Sequence, residues 1–276
     1  MNYGALIFLV GFIGLASSWF GLVLAPQLQL GRQPITKIQG GNDPYPSRRP
    51  GLAEQGLQVY RANGCVSCHS QQVQQSGTVF DVVMTELGTN QPAVVAALAK
   101  LDSKLTGASL SSLPQDVVRG VNKLQADEVN AAFKDTGAKV AVQIRPVGPD
   151  MDWGWGRRAT VAADFLQDSP VMPGSQRLGP DLANVGVRKP DVNWHLVHLY
   201  APKSVVPDST MPPYRFLFEK RKIDRHASPD ALQLTGEAAP EAGYEIVPTA
   251  EAKALAAYLA SLRADVPLFE APMTAK

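Results

Sequence analysis

Two cysteines occur in this chain, two residues apart, and a histidine follows the second: Cys65-Val66-Ser67-Cys68-His69. This spacing is the attachment pattern of c-type haem. Each thiol adds to one vinyl group on the same porphyrin edge, so the sulfurs must sit about one helical turn apart. The next residue then lies under the iron, and its imidazole can supply an axial nitrogen. A fold carrying this turn has to anchor, cover and tune one large flat group.

Two other uses of the motif fit less well. A closed zinc site needs four ligands, and the other histidines are His195, His198 and His226, with no second Cys-x-x-Cys or Cys-His pair. A thioredoxin-like dithiol belongs in a strand–turn–helix within a βαβ unit, and no such pattern surrounds Cys65. With both thiols bound to haem, no disulfide can form. Covalent haem c is assembled outside the cytoplasm in bacteria, so the motif argues for an exported domain. A net charge of +1 gives no basis for a nucleic-acid partner, and 276 residues suit one moderate domain with additions or two small ones.

Tyr3 to Ala25 carry no charge, and a bilayer crossing needs about 20 apolar residues. A cleaved signal would show a basic n-region, a shorter apolar core and a small-x-small cleavage site. The terminal amine and Leu24-Ala25-Pro26 supply neither flank, so residues 1–26 are expected to remain as a single-pass anchor. Arg32 and Lys37 follow the span, and the positive-inside rule would put that side in the cytoplasm. Haem attachment demands the opposite and outweighs so small a charge bias. The expected placement is a bacterial inner membrane with the haem domain on its periplasmic side. Gly4, Gly11 and Ser18 recur every seven residues, as do Gly14 and Gly21. Small residues in register let helices approach closely in lipid, a first sign of membrane partners.

Residues 27–50 are rich in Pro, Gly and polar side chains and read as an extended tether without a core. A short helix over Leu52–Asn63 leads into the haem motif. Residues 76–150 read as an α/β insertion free of His, Cys and Trp. Helices are expected at Pro92–Leu105, Gln115–Leu124 and Asp127–Lys134, the last stopped by Gly137. Alternating Val140, Val142 and Ile144 predict a strand before Pro146. Insertions of this kind often carry binding, so a docking surface fits. The expected cytochrome unit is therefore split into 51–75 and 151–270, followed by a tail over 271–276.

Gly56 and Tyr60 in the first of these helices, and Leu255, Tyr258, Leu259 and Leu262 in a helix capped by Thr249, resemble the first and last helices of class I cytochromes c. In that class the two helices cross where a glycine meets an aromatic. Arg177-Leu178-Gly179-Pro180-Asp181-Leu182 is similar to the Gly-Pro-x-Leu segment of the same class. The resemblance implies that the Pro180 carbonyl accepts the Nδ1 hydrogen of His69, fixing its tautomer, and that Leu182 packs on the haem edge. Arg177, Arg157 or Arg158 would pair with a propionate. The best candidate for the sixth ligand is Met211, in Ser209-Thr210-Met211-Pro212-Pro213-Tyr214. A thioether is a soft ligand that raises the potential relative to two histidines. The flanking prolines hold its loop on a defined path. Met84, Met151 and Met172 are rivals. His195 and His198, on a helix that Asp191 can cap, are the histidine alternative. Without a third ligand they make a weak metal pair, which leaves structural hydrogen bonding or partner contact.

In order along the chain, the N-terminal anchor, Gly64–Gln71, Arg177–Gly186, Trp194–Tyr200 and Val206–Tyr214 together resemble the mono-haem cytochrome c subunit (subunit II) of cbb3-type cytochrome c oxidases. The resemblance implies a mainly α protein with an N-terminal transmembrane helix and a class I cytochrome c domain carrying one covalently bound haem c. Cys65 and Cys68 would hold the group, and His69 and Met211 would be its axial ligands. The subunit would have no catalysis of its own. It would relay electrons from other cytochrome c subunits to the catalytic haem–copper subunit. The stretch between the haem motif and the Gly-Pro segment is longer than the family pattern, and Trp153–Arg158 corresponds to it only loosely. Rival readings are an independent membrane-tethered mono-haem cytochrome c serving another respiratory or nitrogen-oxide enzyme, and a haem-free structural or assembly protein.

Overall fold

A charge-free run in an apolar setting can satisfy its own backbone only as a helix, and the chain opens that way. The computed structural model describes residues 3–30, 35–101, 112–269, 271 and 273. Helix α1 (Gly4–Trp19) passes through a π-helical turn, Phe20–Leu24, into α2 (Ala25–Leu30). The apolar stretch Gly4–Gln29 has a mean hydropathy of 2.2 and none of it is buried. Pro26, expected to end the span, does not. The Ala25 N–H bonds back to Phe20 O, five residues earlier. This π turn loosens the ladder where proline lacks a donor and crowds the carbonyl behind it.

The segment expected as a free tether is stitched to the folded unit. β1 (Thr36–Lys37) pairs antiparallel with β2 (Pro44–Tyr45), and Gln39 N donates to Pro267 O at 2.9 Å. Ile38 and Tyr45 share a small core with Ala163, Leu166, Val266 and Leu268. Arg49 pairs with Asp168 and lies over the Tyr258 ring at 5.4 Å. Composition marked these residues as non-helical, but it carried no information about partners more than a hundred positions away. Of this segment, residues 31–34 lie outside the described residues.

After α3 (Gly51–Ala62) and the haem turn, an antiparallel sheet forms in the order β4-β3-β5. Its strands are β3 (Gly77–Glu86), β4 (Gln115–Val121) and β5 (Lys139–Val147). Two helices complete the lobe. Asn90 caps α4 (Gln91–Lys100), and a reciprocal Asn122–Gln125 capping box opens α5 (Lys123–Phe133). Val82, Met84, Val94, Leu98, Val117, Val129 and Phe133 give this lobe a core of its own. Strand β3 was not anticipated, and Gln115–Leu124 is not a helix. Val117, Val121 and Leu124 fall at helical spacing, but β-branched residues favour the pleat and Val118 pairs with Val82. The helix expected to reach Leu105 is described as far as Lys100, with 102–105 outside the described residues. Helix α5 starts four residues ahead of Asp127.

The chain then returns through α6 (Pro149–Asp152), α7 (Val185–Arg188), α8 (Val192–Tyr200) and α9 (Pro202–Val205). A hairpin of β6 (Phe218–Lys222) and β7 (Tyr244–Pro248) leads into α10 (Ala250–Ser261). Helices α3 and α10 cross in van der Waals contact at Gly56. A Cβ there would fall 1.9 Å from Ala254 O and 2.7 Å from Tyr258 Cβ. Beside the crossing the Tyr60 and Tyr258 rings meet, with centroids 5.2 Å apart. Leu57, Tyr60, Leu196, Leu199, Leu217, Leu255 and Tyr258 form the main core. Each such side chain contributes about 1.5–3 kcal/mol on burial. Of the tail, 272 and 274–276 lie outside the described residues.

Candidate haem site

Helix α3 ends at Asn63, and Gly64 turns the backbone with φ 64° into a 3₁₀ turn over Cys65–Ser67. Cys68 N and His69 N both bond to Cys65 O, at 3.2 and 3.0 Å, which sets the two thiols one turn apart. Cys65 is half-buried and Cys68 exposed, and both are free. Burial pushes the Cys65 thiol up to about 11.

His69 Nδ1 lies 2.8 Å from Pro180 O. A carbonyl only accepts, so Nδ1 carries the hydrogen and Nε2 keeps its lone pair. Two strands of backbone hold this arrangement. Gly179 N donates to Cys68 O at 3.0 Å and Leu182 N to Ser70 O at 2.8 Å. Asp181, fully buried, accepts from Ser70 Oγ, Gln72 N and Ala183 N at 2.6, 2.7 and 2.8 Å. Gln71 Nε2 donates to Tyr258 Oη at 3.1 Å. The residues following His69 are thereby tied to the Gly-Pro segment and to α10.

Arg177 departs from expectation. Its Nε donates to Ser70 Oγ, Nη1 to Asp150 Oδ1 and Nη2 to Gln72 O, at 3.0, 2.7 and 2.6 Å. With all three nitrogens engaged by protein, Arg177 braces the loop after the haem turn rather than standing free for a propionate. Arg158 is sealed in a pair with Asp164. Asp150 and Asp181 are the residues that sequence reasoning missed. Their one local signal is that both follow a proline in a turn, which is too common to single them out.

Met211 is half-buried. It is one of the partly buried residues packed against the main core, as are Cys65, Val66, Met172, Tyr200, Tyr214, Leu234 and Leu259. Its loop is fastened to α8 by Tyr214 N donating to Leu199 O at 2.8 Å. Met172 shares this wall, whereas Met84 is buried in the lobe core and Met151 lies on α6. Leu182 belongs to the main core. His195 is structural, its Nε2 lying 2.8 Å from Lys189 O. Among the described residues no three His, Cys, Asp or Glu gather to hold a metal ion, so the four ligands of a zinc site are not assembled. An oriented imidazole, two thiols one turn apart and a thioether-bearing apolar wall do fit a covalently held haem.

The family model for cytochrome c oxidase, mono-heme subunit/FixO matches residues 140–254. The match takes in Arg177–Leu182, α8 and Met211, and begins beyond the haem turn. A second likeness is partial. The chain is 39% identical over 69 residues to the large ribosomal subunit protein bL12 of Burkholderia ambifaria (strain MC40-6), covering 24% of this chain and 56% of that protein. It is 32% identical over 73 residues to bL12 of Caldanaerobacter subterraneus subsp. tengcongensis, covering 24% and 55%. The chain thus spans about half the length of these curated relatives. The oxidase match falls on the Gly-Pro segment that faces His69 and on the methionine loop. Over that stretch the chain is similar to the mono-heme subunit (FixO) family, which supports a cbb3-type mono-haem subunit.

Proposed function

We propose that this chain is the membrane-anchored electron relay of a haem–copper terminal oxidase. In this reading it holds one haem c covalently through Cys65 and Cys68 and passes electrons from other cytochrome c subunits to the catalytic subunit. The observation that carries the reading is the 2.8 Å contact between His69 Nδ1 and Pro180 O, which leaves Nε2 available beside the two thiols. When bound, the haem supplies a one-electron ferric–ferrous couple. His69 offers Nε2, and the Pro180 carbonyl fixes its tautomer and strengthens its donation. Met211 would offer a soft ligand. Val66, Leu182, Leu234 and Leu259, in or against the main core, would supply apolar surface to the bound group. No acid, base or nucleophile is required of the chain.

The apolar exposed helix, with its rows of small residues, supports a single-pass anchor packed against partner helices. The haem domain lies on the periplasmic side of a bacterial inner membrane. The bL12-like stretch is read as the lobe over 77–147, which has about the matched length. No residue assigned to the haem lies in it.

Two measurements test this. Covalent haem staining of the denatured full-length protein is expected to be positive, and a haem-free band overturns the site. Mild-detergent purification is expected to bring a large multi-helix haem–copper partner. Recovery of the cytochrome without that partner favours an independent tethered cytochrome. Met211→Ala is expected to retain the covalent haem and to lower its potential by about 0.1–0.3 V, a fraction of the ~0.8 V range that axial ligands span. An unchanged potential removes Met211 from the iron.

A further inference from the structure

The Pro180 carbonyl that receives the His69 Nδ1 hydrogen belongs to the same peptide unit as the Asp181 N–H. That 2.8 Å contact and the three bonds beyond it put the Asp181 Cα within about 7 Å of Nδ1. The side chain then turns to the strand that carries the histidine. Its Oδ2 accepts from Ser70 Oγ at 2.6 Å and from Gln72 N at 2.7 Å, and its Oδ1 from Ala183 N at 2.8 Å. Ser70 is the next residue after His69. The carboxylate is thus fixed beside the imidazole through both of the segments that hold it.

Asp181 is fully buried, and its three donors, a hydroxyl and two amides, are neutral. The cations around it are turned to other atoms. Arg177 meets Ser70 Oγ rather than the carboxylate, and its own charge is paired with Asp150. Arg188 donates from Nη2 to the main-chain oxygen of Asp181, not to its side chain. Burying an ion against neutral donors is costly. A brace alone could be built from neutral acceptors, so the charge itself asks for a use.

We infer that the Asp181 carboxylate tunes the haem through its charge, holding the reduction potential down by favouring the ferric state beyond His69. The inference rests on the haem reading above. Oxidation adds one positive charge at the iron, and a fixed negative charge nearby stabilises it. A unit charge about 10 Å away, across protein of effective dielectric about 20, shifts such an equilibrium about 10-fold. Asp181 is a positioning residue as well, since it clamps the backbone after His69, so the two roles have to be separated by experiment.

The test is a redox titration of full-length, haem-loaded protein in detergent. Asp181→Asn removes the charge and keeps the size. It is expected to retain covalent haem and to raise the potential, so that the ferric-to-ferrous ratio at a fixed ambient potential falls about 10-fold. Ser70→Ala removes one clamp but leaves the charge, and is expected not to raise the potential. Mere loosening of the clamp admits water, which favours the ferric state and lowers the potential in both variants. The inference is overturned if Asp181→Asn leaves the potential unchanged or lowers it, or if Ser70→Ala raises it equally. The shift is also expected to persist between about 0.1 M and about 1 M salt, because ions do not screen a buried charge well. A shift that salt abolishes belongs to the surface and overturns the inference. Should Asp181→Asn hold no covalent haem, Asp181→Ser is titrated in its place, and failure of both neutral variants to hold haem overturns the inference in favour of a purely structural carboxylate. A haem-free wild type refutes the site itself, whereas a haem-loaded wild type with unshifted variants refutes only the tuning.

Discussion

Asp164→Ala is expected to destabilise the folded unit by about 3–5 kcal/mol, because it strands a buried cation. The Asp164 carboxylate accepts from Arg158 Nη2 at 2.7 Å and Nη1 at 2.9 Å, and the two side chains are 1% and 2% exposed. It also accepts from Tyr45 Oη at 2.7 Å and Val161 N at 2.8 Å. Without it Arg158 keeps the Val266 and Ala159 carbonyls but loses its counter-charge in a place water does not reach. A thermal midpoint lower by about 10 °C is the corresponding reading. Tyr45 loses its partner as well, so proteolytic cleavage within 36–50 should rise in parallel. Tyr45→Phe alone should cost only about 1 kcal/mol. Arg158→Met combined with Asp164→Leu should recover most of the loss, since an apolar pair of similar volume carries no desolvation penalty. An unchanged melt for Asp164→Ala means that the pair does not hold the connector. Tyr45 on Asp164 and Arg49 on Asp168 thus fasten residues 36–50 to the folded unit, which a free tether would not be.

What the sequence made legible follows from the kind of constraint involved. Covalent haem attachment needs fixed residue types at a fixed short spacing, so Cys65, Cys68 and His69 stand out in one line of text. The Gly-Pro segment stands out because it is a short local pattern, and the structure brings its Pro180 carbonyl to His69 Nδ1. The α3–α10 crossing was readable because Gly56 and the aromatics at 60 and 258 leave a spacing signature. The sheet of the inserted lobe was not readable, because Gln115–Val121 satisfies the helical period by accident and becomes a strand only through its pairing with β3. The braces around the site were hidden for a related reason. Tyr45 and Asp164 are 119 positions apart, and Arg177 and Ser70 are 107 apart. Their complementarity exists only once the chain has folded. Arg177 is the case in point: an arginine near a haem motif suggests a propionate, and its three nitrogens donate to Ser70, Asp150 and Gln72.

Gly179→Ala is expected to cut the haem-loaded fraction of the protein by about 10-fold or more, the scale on which lost ligand support weakens a metal site. The reason is close approach. A Cβ on residue 179 would stand 2.2 Å from His69 Cε1, 2.7 Å from Nδ1 and 3.0 Å from Nε2, well inside the ~3.5 Å at which carbon contacts become favourable. The backbone cannot back away. Gly179 N is bonded to Cys68 O and Leu182 N to Ser70 O, and Pro180 stiffens the step between them. Relief must come from the imidazole, which has to swing off the Pro180 carbonyl. It then loses the hydrogen bond that fixes its tautomer and the direction of Nε2. Covalent haem per mole of full-length protein and the ferric spectrum both read this out, the second reporting the loss of the axial histidine even where the thioethers still form. Gly51→Ala serves as the control, because a Cβ there meets nothing within 4 Å. If Gly179→Ala loads haem as the wild type does, His69 is free to take another position, and the Gly-Pro segment does not set the axial ligand. If loading falls while the Gly51 variant is unaffected, the glycine is required for the room it leaves an axial histidine rather than for turning the chain.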